Sequence, residues 1–219
     1  MDRWATFDCY GTLIDWEGGI SGALSSLWPE VDRAKLLARF HEVEPRIQAG
    51  SGRPYREVLV AALAAVAQAE GRGVPRRQEG LLADSLPSWP TFPDVPLALR
   101  DLRSRGWKLG ILSNTDPDLL AASVRVIGVE PDLAVTAREA GSYKPAHGHW
   151  LVFRRLSAAD PSRHVHVAAS PFHDLAPAAE LGIPAVWINR TRERTDLPRA
   201  AELPDLAVLP DILDALVMP

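Results

Sequence analysis

Apolar and polar positions alternate along the chain in two different rhythms. Trp4 to Phe7 is a short apolar run that ends abruptly at Asp8, Gly11 and Thr12, and it predicts a buried strand feeding a tight loop. From about residue 18 to 86 the rhythm is helical and no strand is predicted. Leu36, Leu37, Phe40, Val43 and Ile47 share one helical face, and Val58, Leu59, Ala62, Leu63 and Val66 share another. Gly50, Gly52 and Pro54 separate the two stripes, and Gly71, Gly73 and Pro75 end the second. After a return marked by Pro87, Pro90, Pro93 and Pro96, helix and strand alternate. Strands are predicted at 108–112, 133–136, 164–168, 185–188 and 206–209, with helices at 97–105, from Asp116-Pro117 to Gly128, at 145–156, at 174–181 and at the C-terminus.

That order predicts an α/β fold, a doubly wound parallel sheet with helices on both faces. The helical stretch reads as an insertion. The expected division is a core of residues 1–15 and 88–219 and an all-helical cap of residues 16–87. The 219-residue length accommodates both, and 47% hydrophobic with 24% charged residues is a globular balance. A net charge of −4 suggests neither a nucleic-acid nor an anionic-membrane partner. One cysteine, Cys9, excludes an intrachain disulfide and fits a reducing compartment. No apolar run approaches the roughly 20 residues that span a bilayer. The expected location is cytoplasmic.

In open α/β sheets ligands bind beyond the carboxyl ends of the strands. The polar residues there are Asp8, Gly11 and Thr12 after the first strand, Ser113 and Asn114 after the second, and Lys144 after the third. Ser170, His173 and Asp174 follow the fourth. Singly, such residues are as often turn or cap residues as site residues. Four histidines, His147, His149, His164 and His166, lack the spacing of a zinc site.

Together these residues carry a resemblance. FDCYGTLID around Asp8, LSNTD around Ser113 and Asn114, SYKP around Lys144, the run from Ala168 to Asp174 and WINR at 187–190 resemble, in order and spacing, the motifs of the haloacid dehalogenase superfamily. The resemblance spans essentially the whole chain and implies a Rossmann-like core with the helical cap between the first and second motifs. It implies Asp8 as a nucleophile esterified by substrate, with Lys144, Asp174, Thr12 and His173 as its catalytic companions. Substrate contacts are implied for Tyr10, Arg39, Ser113, Asn114 and Trp150, with Arg39 reaching over the leaving group from the cap.

Phosphatases of this superfamily place an acid two residues after the nucleophile and a carboxylate four before the last acidic residue. Here those positions are Tyr10 and Ser170. A halide needs no proton to leave, so both departures point to a dehalogenase of the 2-haloacid branch working without a cofactor. Other departures mark a divergent subgroup: Ala169 and Pro171 stand where serine and asparagine are expected, and Trp150 where tyrosine is. The alternatives are a Mg²⁺-dependent phosphatase-like hydrolase, with Asp8, Tyr10 and Asp174 around the ion, a hydrolase of another small 2-substituted carboxylate such as a strained cyclic amino acid, and a catalytically dead binding protein. The implied partners are a small carboxylate substrate and a second copy in a homodimer.

Overall fold

The computed structural model describes residues 2–50 and 52–218. Its centre is a six-stranded, wholly parallel sheet of order β3-β2-β1-β4-β5-β6. The strands are β1 Arg3–Phe7, β2 Trp107–Ser113, β3 Leu133–Thr136, β4 His164–Ala168, β5 Ala185–Ile188 and β6 Ala201–Leu203. β1, β2 and β4 are almost wholly buried along their length, the pattern of a sheet covered on both faces. The chain builds outward from β1 to β2 and β3, then returns to lay β4 on the other side of β1. The crevice beyond the carboxyl ends of β1 and β4 is therefore the topological switch point, and Asp8 stands at its floor.

Between β1 and β2 lie α1 Trp16–Leu27, α2 Arg33–Gln48, α3 Tyr55–Ala69 and α4 Leu81–Ser85. The stripe on α2 buries Leu36 and Phe40, and that on α3 buries Val58, Leu59, Ala62, Leu63 and Val66. The apolar core runs unbroken from these helices to Phe7, Cys9 and Ile111 of the sheet region. Polar clamps add to it. Asp116 was expected to cap the helix that follows it, α6 Pro117–Ile127, but makes no such bond. Its carboxylate instead accepts from the backbone N–H groups of Tyr55 at 2.9 Å and Arg56 at 2.8 Å, satisfying the orphan donors at the start of α3. The Tyr143 hydroxyl donates to the Arg53 carbonyl at 2.7 Å nearby.

The remaining helices are α5 Val95–Ser104, α7 Ala137–Ala140, α8 Gly148–Ser157, α9 Ala176–Glu180 and α10 Leu209–Leu216. Three boundaries depart from the sequence reading. The helix expected from Pro145 starts at Gly148, because Asn114 bonds both backbone polar groups of Lys144 and holds that loop out of the helix. The helix expected from Asp174 begins as a wide turn at Pro171, because the Ser170 hydroxyl accepts from the His173 N–H and caps it. The last strand is Ala201–Leu203 rather than 206–209. Leu206 and Leu209 are apolar because they are buried in the core, and the Leu206 N–H goes to Asp94 rather than to a neighbouring strand.

Candidate active site

β1 delivers Asp8 to the switch point, and the loop that follows turns at Gly11, whose φ of +90° few side chains tolerate. Leu13 and Ile14 donate back to the Cys9 carbonyl at 2.8 and 3.0 Å, which closes the turn. It brings the Thr12 hydroxyl 2.8 Å from Asp8 Oδ2. That hydroxyl accepts from the Ala169 N–H at 2.9 Å, so its one proton is committed to Asp8. The Trp187 indole in turn holds the Ala169 carbonyl at 2.9 Å.

The other carboxylate oxygen of Asp8 accepts from Lys144 Nζ at 2.8 Å. Lys144 is buried, 2% exposed, and its remaining two protons go to Asp174 Oδ1 at 2.7 Å and the Leu112 carbonyl at 2.9 Å. All three ammonium protons are thus used within the protein, and the charge acts on the two carboxylates between which it stands. Burial pushes the Asp8 carboxyl above its ordinary value, and Lys144 and Thr12 pull against that rise. Burial would raise Asp174 too, but Lys144 and His166 outweigh it and hold Asp174 well below the usual range. The two carboxylates hold Lys144 protonated despite its burial.

A buried chain of groups continues behind Asp174. His166 Nε2 stands 2.9 Å from Asp174 Oδ1, and His166 Nδ1 stands 2.9 Å from the Thr6 hydroxyl, which is 2.7 Å from His164 Nε2. An ionised Asp174 can only accept, so His166 carries its proton on Nε2. Thr6 then donates to His166 Nδ1 and accepts from His164, whose imidazole burial pushes down to about 3. The two histidines orient Asp174. His149 Nε2 instead donates to the Ser113 carbonyl at 3.1 Å, and His147 pairs with Glu180 at 2.8 Å on the surface.

Above Asp8 lies a cavity of about 440 Å³, large enough for a small organic acid. Its lining contains Asp8, Tyr10, Ser113, Asn114, Lys144, His173 and Asp174. The Ser113 hydroxyl and Asp174 Oδ2 are buried without a protein partner. Asn114 bonds the Lys144 backbone through both ends of its amide, at 2.6 and 3.1 Å, so it positions the lysine. The Tyr10 hydroxyl pairs with Ser123 Oγ at 3.0 Å, and burial raises its pKa. His173 sits 3.2 Å from the Ser170 hydroxyl through Nδ1, and burial lowers its pKa and favours the neutral ring.

Three residues named from the sequence do not line this cavity: Thr12, which is fully buried against Asp8, and Arg39 and Trp150, which lie elsewhere. Arg39 lies on the outer flank of α2, where it pairs with Glu42 at 2.7 Å and Glu70 at 3.4 Å. The helical period decides this: His41, Glu44, Pro45 and Gln48 form the stripe that lines the cavity, and Arg39 is off it. Trp150 is buried in a separate apolar cluster with Trp4, Leu112, Val135 and Phe153, its ring edge-on to His166 at 5.3 Å. It backs the histidine chain and has no face in the cavity.

Other lining residues were not singled out from the sequence. Arg190 is clamped by Asp94 at 2.8 and 3.1 Å and by the Thr12 carbonyl at 3.0 Å, and lies over the Phe92 ring. Gln48 accepts from the Asn114 amide at 3.3 Å and donates to Glu44 at 3.0 Å, which links the helices to the sheet. Glu44 is 6% exposed, and burial pushes its carboxyl up to about 7. A Mg²⁺ set of Asp8, Tyr10 and Asp174 does not suit these donors. The Tyr10 phenol is held by Ser123, and the Ser170 hydroxyl is engaged with His173.

Comparison with known proteins agrees with this arrangement. The model of the haloacid dehalogenase-like hydrolases matches residues 3–182. An (S)-2-haloacid dehalogenase of Pseudomonas sp. strain YL is 28% identical over 191 residues, 84% of this chain and 82% of that protein. The L-2-haloacid dehalogenase of Xanthobacter autotrophicus shares the fold with a TM-score of 0.87 at 20% identity, over 98% of this chain and 99% of that one. A structure of the same enzyme with chloropropionic acid covalently bound superposes with a TM-score of 0.86 at 20% identity, covering 100% of both chains. A match over residues 3–182, which takes in Asp8 and the first four strands of the parallel sheet, shows that this chain belongs to the haloacid dehalogenase-like hydrolase family.

Proposed function

We propose that this enzyme cleaves the carbon–halide bond of small 2-haloacids through an ester on Asp8. The observation that carries the reading is the setting of that carboxylate. It lies on the cavity floor with one oxygen on Lys144 Nζ and the other on the Thr12 hydroxyl, each at 2.8 Å, and no acid stands two residues beyond it. An Asp8 oxygen bonds to C2 of the substrate as the halide departs with the bonding electron pair, inverting the carbon. Water then adds to the Asp8 carboxyl carbon, the acyl–oxygen bond breaks, and the 2-hydroxy acid leaves. Asp174 Oδ2, buried and without a protein partner, and the neutral His173 ring are the groups suited to orienting that water. Ser113 Oγ is a donor without a protein partner and suits the substrate carboxylate. The helices over residues 16–87 act as the cap that encloses the reaction, and a drier site strengthens each of these charge interactions.

With (S)-2-chloropropionate, chloride and lactate are expected to appear in equal amounts and at a rate that a chelator leaves unchanged. Chelator-sensitive phosphate release from a phosphate ester, with no chloride from the haloacid, would contradict this reading and favour the phosphatase alternative.

A further inference from the structure

The cavity is rich in carboxylates. Asp8, Asp15, Glu17, Glu44, Asp174 and Glu193 line it, against Lys144 and Arg190 as the permanent cations. Both cations are already paired: Lys144 spends its three protons inside the protein, and Arg190 is held by the Asp94 carboxylate and the Thr12 carbonyl, with its Nε–H left without a partner. Most of the acids are also committed. Asp15 caps α1 through the Gly18 N–H at 2.9 Å, Glu17 faces His41 at 3.3 Å, and Glu193 accepts from the Thr191 hydroxyl at 2.9 Å.

Glu44 differs. It is buried on the cavity-facing stripe of α2, and its hydrogen-bonding neighbours, Gln48 and Tyr55, are both neutral. No cation contributes to its proton affinity, which burial dominates. An isolated buried carboxylate is costly: it either takes up a proton or finds a cation, and in a ligand cavity a ligand can bring that cation. Gln48 fixes its orientation: the Gln48 carbonyl oxygen takes a proton from Asn114, so its amide N–H₂ is the end that meets Glu44. Tyr55 is its other hydrogen-bonding neighbour, and Glu44 itself lines the cavity.

We infer that Glu44 is a specificity-determining residue that binds a protonated amine on the substrate, so that the preferred substrates are small 2-substituted carboxylates carrying an ammonium group. The inference rests on the reading of this cavity as the substrate site, and it concerns recognition rather than the bond that Asp8 breaks. A zwitterion also suits the net acidity of the lining better than a plain anion does.

Binding of two isosteric pairs tests it without any turnover. Alanine is compared with isobutyrate, and β-alanine with butyrate, by calorimetric titration of the full chain; within each pair an ammonium replaces a methyl group. The wild-type protein is expected to bind the ammonium member at least tenfold more tightly in one pair. Glu44→Gln, which keeps the acceptor for Gln48, is expected to abolish that preference, and Glu44→Asp to retain part of it. No preference in either pair, or one that survives Glu44→Gln, overturns the assignment. Failure of Asp8 to form an ester would leave these binding ratios as they are, so the two readings fail separately.

Discussion

Lys144→Met is expected to lose turnover by about 10³-fold or more and to destabilise the fold. The ammonium at 2.8 Å from Asp8 and 2.7 Å from Asp174 is the charge that lets two buried carboxylates coexist. Without it, burial and mutual repulsion act unopposed, and each unit by which the Asp8 pKa exceeds the working pH removes tenfold of the ionised nucleophile. Removing one partner of a buried charge cluster costs about 3–5 kcal/mol. For a chain of this size that lowers the melting temperature by roughly 10 °C.

The pH dependence of stability also changes, because in the wild type the raised Asp8 carboxyl and the lowered Asp174 carboxyl act in opposite directions and Lys144 sets their balance. In the wild type Asp174 is held below its ordinary value of 3.8, so its contribution is present above that pH and lost as the pH falls towards the folded value. In the variant one carboxyl of the pair is raised, so its contribution is present below 3.8 and lost as the pH rises through the folded value. Urea unfolding followed by tryptophan fluorescence at pH 5 and pH 7.5 reads this directly. The variant is expected to gain on the wild type at the lower pH. An equal deficit at both values would contradict the assigned role of Lys144.

Asp8→Asn is expected to abolish ester formation and to reduce turnover by more than about 10⁴-fold, the scale of losing a covalent nucleophile. Its fold is expected to survive. An asparagine can still accept from Thr12, and Lys144 keeps Asp174 and the Leu112 carbonyl. Acid-quenched samples with (S)-2-chloropropionate are expected to show a substrate-derived mass increase on the wild-type chain and none on the variant. Retained turnover in the variant would contradict the role given to Asp8.

The sequence carries the sheet in a directly readable form. β4 and β5 lie at their predicted bounds, because a strand buried on both faces leaves a short apolar run ended by a polar residue, and the edge strand β3 also lies at its predicted bounds although Ala134 is exposed. β6 was misplaced because Leu206 and Leu209 are apolar for packing and not for pairing. The strand-end residues Asp8, Ser113, Asn114, Lys144 and Asp174 were legible because a parallel sheet must bring such ends together. Residues contributed by the helices were not. Arg39 and Glu44 sit five residues apart on one helix, and only the orientation of α2 over the sheet decides which of them faces the cavity. His166 looked like a strand histidine between valines, and its bond to Asp174 spans two elements. The link from Asp116 to the start of α3 joins residues about 60 positions apart, so it too was hidden.

The most direct measurement is a single turnover of excess wild-type enzyme on (S)-2-chloropropionate in ¹⁸O-water. The account predicts that the lactate carries an unlabelled oxygen at C2, drawn from Asp8, and that one ¹⁸O is recovered in the peptide containing Asp8. Lactate labelled at C2 with an unlabelled Asp8 peptide would mean that water attacks the substrate directly, and would contradict the central claim.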